Sequence, residues 1–268
     1  MSAKTSPSLW SAAELQRDLG ATLAESATSL ESLGMAGPSI DSRTLQRGEL
    51  FFCLKAARDG HDFIEAAVRA GAGGIVCARD RAEESYATVQ AIAARLAEST
   101  ASAPLVFSVD DPEYALQRWA SAHRRRMRPE AMIALSGSNG KTTTRRMLAA
   151  ALSPLGPIHQ TSGNLNNHLG LPLTLLKLRE SDRFSVIELG MNAPGELRDL
   201  CAIAAPTDGV LTTIGAAHLE GLGSVEAVAA AKGELFTAIP AEGRLFFPDT
   251  LALQEIALRD AVASKVAI

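Results

Sequence analysis

Cysteine is scarce in this sequence: there are three, Cys53, Cys77 and Cys201. None forms a C-x-x-C pair, and each sits among apolar residues. That argues against a metal or redox site and predicts three buried free thiols in a reducing compartment. No apolar run approaches the roughly 18 residues that a membrane-spanning helix needs. The N-terminal stretch MSAKTSPSLWSAAELQRDLG has no apolar core of signal-peptide type. The expectation is a cytoplasmic protein with no membrane insertion. Basic charge is not in excess either. Lys and Arg number 26 against 30 Asp and Glu, a net charge of -4, which argues against a general nucleic-acid binder. An anionic ligand stays open, because backbone N–H groups and a few local cations bind phosphate inside an acidic protein. Internal repeats and long low-complexity segments are also lacking.

What is present is an apolar content of 47% over 268 residues, enough for a substantial core and for two domains. Short apolar runs alternate with helical patterns. The strand-like runs are ELFFCLK (49–55), GGIVCA (73–78), PLVFSVD (104–110), AMIALSG (131–137), FSVIELG (184–190), DGVLTTIG (208–215) and RLFFP (244–248). Helix-like stretches such as DFIEAAVRAGA, TTTRRMLAAAL, GELRDLCAIA and SVEAVAAAKGELFTAI lie between them. This predicts an α/β protein with a mainly parallel sheet in its second half. Asp110, Asp111 and Pro112 form a turn with N-cap chemistry. A boundary there divides the chain into 1–110 and 111–268. The helix that follows, PEYALQRWASAHRRRM, ends in a basic cluster, His123 to Arg128. Cations at a helix C-terminus complement its dipole and are expected to stay solvated.

The stretch ALSGSNGKTTTRRM, Ala134–Met147, has the strand–glycine turn–helix layout of a phosphate-binding loop. Its spacing is not the common G-x-x-x-x-G-K-[ST], since Leu135 stands where the first glycine belongs. Gly137, Ser138, Asn139, Gly140, Lys141, Thr142 and Thr143 are the candidate nucleotide-binding residues. Glycine admits close backbone approach and positive φ. The amides and helix dipole then face the anion. Lys141 is placed to bridge phosphates and Thr142 to offer a hydroxyl to Mg²⁺. A chance glycine turn before a lysine is the bland alternative.

Two further strand ends carry candidates. Glu188 closes SVIE, and His218 follows GVLTTIG. Each alone suits a solvated acid or a satisfied polar residue. Together, after a phosphate loop, they suggest a Mg²⁺–phosphate shell. Lys232 falls on the apolar stripe of Val225, Val228, Phe236 and Ile239. A lysine there snorkels, pairs or loses its charge. A neutral amine also reacts with CO₂ to give a carbamate, which turns a cation into an anion able to hold a metal.

SGSNGKTTT, GNLNNHLGLPLTLL, VIELGMNAPGEL and AAHLEGLGSVEAVAAAKGELF together resemble the Mur ligases of peptidoglycan synthesis. The short G-x-x-G-K-T loop is that family's form. DSRTLQRGELFFCLKAARDGHDF resembles the family's uridine-nucleotide-binding domain. GNLNN and ELGMN favour the branch that adds D-alanyl-D-alanine. The resemblance implies a small N-terminal α/β UDP-binding domain, then a mainly parallel-sheet ATPase domain. It implies an ATP-dependent ligase, cytoplasmic and monomeric, joining D-alanyl-D-alanine to UDP-MurNAc-tripeptide through an acyl phosphate. Lys141, His218 and Lys232 would be catalytic. Thr142 and Glu188 would bind one Mg²⁺, and His218 with carbamylated Lys232 a second. Asn164, Asn166 and Asn167 would shape the tripeptide or phosphate side, although Asn is also a turn residue. Asp41, Ser42 and Arg43 would contact the UDP part, with a surface ion pair as the alternative for Arg43.

The chain departs from the family pattern in three places. It stops before the third domain, so the ATPase domain is expected to be incomplete and the C-terminal ligase domain absent. After GRLFF it reads PDTLALQ where the family has an asparagine. LKAARDGHDF lacks the glycine usual after the lysine. An open sheet edge after Phe247 follows from this reading, with lowered stability and self-association. Two alternatives stand beside the ligase: a noncatalytic UDP-substrate or nucleotide-binding fragment, and another Mur ligase or a folylpolyglutamate synthase.

Overall fold

The computed structural model describes residues 10–23, 34–96, 103–215, 224–261 and 263–267. The chain forms two compact units, Met1–Trp119 and Ala120–Ile268.

The first unit opens with β1 (Trp10–Ser11), α1 (Ala12–Leu19), β2 (Thr22–Leu23), β3 (Gly34–Met35), β4 (Pro38–Ser39) and β5 (Leu50–Phe52). It continues with α2 (Ile64–Arg69), β6 (Gly74–Ala78), α3 (Ala82–Leu96) and β7 (Leu105–Val109). Its main sheet has the order β2-β7-β6-β5-β4. All pairs are parallel except β2 with β7. Successive side chains alternate between faces. Phe51, Cys53, Ile75, Cys77 and Val106 form one core with Ala67 and Val68 of α2 and Val89 and Ile92 of α3. Phe52 instead stacks on Trp119, which also meets Trp10 edge-on. The expected turn at Asp110–Pro112 is the start of α4 (Pro112–Arg126). Asp111 Oδ1 accepts the N–H groups of Glu113 and Tyr114, at 2.8 and 3.2 Å, as a capping aspartate does.

The second unit runs β8 (Ala131–Ser136), α5 (Lys141–Leu152), β9 (Ile158–Gln160), α6 (Gly170–Leu175), β10 (Phe184–Glu188) and α7 (Glu196–Ala204). β11 (Asp208–Leu211), α8 (Val225–Ala238), β12 (Arg244–Phe247), α9 (Leu251–Asp260) and β13 (Ser264–Ala267) complete it. The sheet is wholly parallel, in the order β13-β12-β11-β8-β10-β9. The strand order reverses beside β8, and a crevice outside the carboxyl ends of the strands is the expected ligand position there. The α/β, mainly parallel architecture agrees with the sequence.

Four readings change. The strand ending at Phe247 is not the sheet edge, because PDTLALQ turns into α9 and the chain returns as β13, paired along β12. The basic end of α4 is not all solvated. His123 Nε2 lies 2.8 Å from Leu178 O, and buried Arg124 donates to Ala204 O and Ala205 O at 2.9 Å each. Those carbonyls close α7, and Arg124 also donates from NH1 to Met127 O at 3.0 Å, so it serves a neighbouring helix as well as the end of its own. Val225, placed on the apolar stripe of α8, is 41% exposed in the first turn, while Val228, Phe236 and Ile239 are buried. β1, β2, β3, β4, β9 and β13 were not among the expected strands, being too short or too irregular to show a period.

The three cysteines are free and buried, as expected. Burial raises the thiol pKa of Cys53 and Cys77 and pushes that of Cys201 up to about 12. Among the described residues, no helix is long and apolar enough to cross a membrane.

Candidate functional site

The glycine turn from Gly137 to Gly140, the candidate phosphate loop, joins β8 to α5. Gly137 has φ 141° and Gly140 φ 82°, backbone conformations that favour glycine. A Cβ on Gly137 would also collide with the Thr212 hydroxyl. The loop is tied to the residues that follow β11. Ser138 N–H donates to Thr213 O at 2.8 Å, and Asn139 N–H to Thr213 Oγ1 at 3.0 Å. Gly215 N–H donates to Ser138 Oγ at 3.0 Å. The first N–H groups of α5 have no intrahelical acceptor. They stand at the positive end of a 12-residue helix. Thr142 and Thr143 are exposed there, and half-buried Lys141 donates from Nζ to Gly137 O at 2.6 Å. Burial lowers the pKa of Lys141, opposed by the Glu188 carboxylate.

Glu188 ends β10, in register with Leu135 of β8, and is 2% exposed. Its N–H donates to Thr161 Oγ1 at 2.9 Å. Its Oε2 accepts from Thr142 Oγ1 at 3.2 Å. Thr142 and Glu188, paired as expected of two ligands of one cation, are therefore adjacent. The other oxygen, Oε1, lies 2.9 Å from Nε of buried Arg145. The two atoms form an ion pair without hydrogen-bond alignment, and neither has a hydrogen-bond partner among the described residues. Arg145, on α5, was missed by the sequence reading because its partner lies on β10, far along the chain.

Lys232, on α8, is 1% exposed. Its Nζ donates to Met191 Sδ at 3.5 Å, a weak acceptor for an ammonium. Burial, and then the Lys141 charge, lower its pKa to about 8. Two residues on, Glu234 accepts Gly195 N–H at 2.6 Å and Arg198 N–H at 3.0 Å, which fastens α8 to the start of α7. His218 lies outside the described residues. Among the described residues, no three His, Cys, Asp or Glu side chains form a metal cage.

The asparagines do local work. Asn167 Oδ1 accepts Gly170 N–H at 2.8 Å at the head of α6. Asn166 O accepts Gly190 N–H at 2.8 Å, so the loop after β9 meets the loop after β10. Asn164 is exposed, and its carbonyl accepts Asn166 N–H at 2.8 Å.

In the first unit, Arg43 forks onto Asp41 through Nε and NH2, at 2.9 and 2.6 Å. This is the surface ion pair named as the alternative, and half-buried Ser42 sits between the two in the turn. The Arg43 hydrogen bonds lower the Asp41 pKa to about 2. A cavity of about 620 Å³ opens at the carboxyl ends of β5, β6 and β7, lined by Lys55, His61, Arg79 and Asp110 among others. None of Asp41, Ser42 or Arg43 lines it. His61 is buried, its Nδ1 2.6 Å from Asp59 Oδ1 and its Nε2 accepting Ala78 N–H at 3.1 Å.

Residues 135–265 match the Mur ligase middle domain, and residues 36–124 match the Mur ligase family, catalytic domain. The chain belongs to the Mur ligase family. It is 37% identical over 214 residues to the UDP-N-acetylmuramoyl-tripeptide–D-alanyl-D-alanine ligase of Bacillus subtilis, covering 79% of this chain and 43% of the relative. The ligase of the same name from Synechocystis sp. is 38% identical, over 82% of this chain and 45% of the relative. The crystal structure of MurF from Acinetobacter baumannii superposes with a TM-score of 0.80 at 28% identity, over 98% of this chain and 54% of that one. MurF ligase from Thermotoga maritima, solved in complex with ADP, gives 0.71 at 27% identity, over 86% of this chain and 49% of that one. The chain thus spans less than half the length of the curated Mur ligases it matches. The short G-x-x-G-K-T loop lies within the matched middle domain.

Proposed function

We propose that this chain carries the nucleotide-binding and UDP-substrate-binding parts of an ATP-dependent Mur ligase that joins D-alanyl-D-alanine to UDP-MurNAc-tripeptide. The observation that carries the reading is the loop of β8 and α5, with Lys141, Thr142 and buried Glu188 gathered at a parallel-sheet switch point. The relatives named for that reaction support the substrate class. In the reaction, the substrate carboxylate takes the γ-phosphoryl group of ATP and ADP leaves. The amine of D-alanyl-D-alanine attacks the acyl phosphate, phosphate departs and the amine loses a proton.

The protein's part is positioning and charge stabilisation. Gly137 to Thr143 form the phosphate cradle, with Lys141 adding a cation. Thr142 and Glu188 fit Mg²⁺, a hard cation often held by one or two carboxylates plus phosphates and water. When bound, it neutralises phosphate charge. Lys232 fits the carbamate reading, being buried, without an oxygen acceptor among the described residues and shifted toward the neutral amine. As a carbamate, with His218, it would hold a second Mg²⁺. Asn164, Asn166 and Asn167 are assigned to the tripeptide or phosphate side, and Asp41, Ser42 and Arg43 to the UDP part. For Arg43, that role requires release from Asp41.

The test is phosphate release by the purified chain with Mg-ATP, UDP-MurNAc-tripeptide and D-alanyl-D-alanine, each omitted in turn, with product mass checked. Release that needs all three, with the UDP-MurNAc-pentapeptide formed, would show that these 268 residues suffice for the ligase reaction. Release independent of the two peptide substrates overturns the substrate assignment. No release, with ADP and the UDP-tripeptide still bound, makes this chain a binding module without turnover.

A further inference from the structure

The two oxygens of Glu188 have different neighbours. Oε2 faces the Thr142 hydroxyl, while Oε1 is held against Arg145 Nε at 2.9 Å. Thr142 and Arg145 are three residues apart on α5, so they share the helix face turned to β10. Neither end of the Arg145–Glu188 pair moves freely. The Arg145 and Glu188 side chains are 7% and 2% exposed, and the Glu188 backbone is anchored through Thr161. Arginine keeps its charge at any working pH.

We propose that Arg145 is a positioning residue that sets metal specificity. By holding Oε1, it makes Glu188 a one-oxygen ligand on the Thr142 side. Mg²⁺ accepts such a ligand within its small octahedron. Ca²⁺ takes six to eight oxygens and commonly binds both oxygens of one carboxylate. The pair therefore favours Mg²⁺ over Ca²⁺ as the ion that assists nucleotide binding. The inference rests on the reading of this loop as a nucleotide–Mg²⁺ site. A merely structural Arg145 would alter binding with both ions alike.

The experiment measures ADP affinity of the full chain by calorimetry in EDTA, in Mg²⁺ and in Ca²⁺. Wild type is expected to bind ADP about tenfold more tightly with Mg²⁺ than with Ca²⁺. Arg145→Met frees Oε1, and the ratio is expected to fall to within about threefold. Arg145→Lys, a single ammonium without the planar fork, should fall between them. If neither ion changes wild-type ADP binding, the metal-site reading itself fails, and this inference with it. If Mg²⁺ and Ca²⁺ help wild type equally, the inference is overturned while that reading stands. An unchanged ratio in Arg145→Met also overturns it. Should circular dichroism show Arg145→Met unfolded, Arg145→Lys decides, and a wild-type ratio there overturns the inference.

Discussion

Each unit of the molecule holds several arginine–carboxylate pairs, and two of them, Arg43–Asp41 in the first and Arg145–Glu188 in the second, differ in almost everything except chemistry. Arg43 and Asp41 have side chains 79% and 34% exposed, two residues apart in one turn. Arg145 and Glu188 are 7% and 2% exposed and come from a helix and a strand 43 residues apart. Water and salt screen the first pair, and releasing Arg43 to a ligand is cheap. The second pair cannot lose one member without stranding a charge in low dielectric. A pair on the surface is an adjustable contact. A buried pair commits the fold around it.

The strongest way to break this contrast is to delete one carboxylate from each pair. Glu188→Ala is expected to lower the unfolding free energy by about 3–5 kcal/mol, while Asp41→Ala, which removes an exposed and solvent-screened pair, shifts the urea midpoint far less. Equal midpoints for the two variants would remove the distinction.

Lys232 sharpens the same point with pH. Its folded pKa is lowered from 10.5 to about 8. Below pH 8 both states are protonated, and the fold carries the full cost of the buried ammonium, on the order of 3 kcal/mol. Between about 8 and 10.5 the unfolded chain binds more protons, so stability rises with pH, and above that it levels. Lys232→Met should flatten this rise and be more stable than wild type at pH 7. Denaturant unfolding in CO₂-free buffer across the range checks it, and parallel curves for the two proteins would refute the buried-ammonium reading.

A smaller effect is expected at Glu234, a carboxylate that caps the start of α7 from α8. Glu234→Ala should cost about 1–2 kcal/mol, the scale of a lost N-cap, seen as a lower melting temperature. No change would mean that α7 satisfies its first amides without α8. The smallest signal belongs to Asp41. Its carboxylate should titrate by NMR near pH 2, because Arg43 holds the charged form. A midpoint near 3.8 in moderate salt would mean that the fork is open in solution.

Much of the candidate site was legible locally. The candidate phosphate loop, Gly137 to Thr143, is seven consecutive residues between an apolar strand-like run and a helix-like stretch. Glu188 ends the strand-like run FSVIE. Lys232 interrupts a helical stripe. The ties that hold these residues were not legible, because each joins distant segments: Thr213 to the loop, Thr161 to Glu188, Glu234 to α7. The basic end of α4 misled for the same reason. Its cations are spaced like a solvated helix end, yet the C-terminal carbonyls of α7 take Arg124. β13 was missed because four residues after a short helix carry no period of their own, and pairing with β12 is what makes them a strand.

The amino-acid sequence by itself determined the α/β class, the glycine turn between β8 and α5 and the candidacy of Lys141, Thr142, Glu188 and Lys232, because these depend on local patterns and on glycine conformations read within a few residues. Only the tertiary structure decided what those groups experience. Burial depth, the partner of each Glu188 oxygen and the lowered pKa of Lys232 depend on atoms brought together from far along the chain, and electrostatic energy is set by distance in space and access to water.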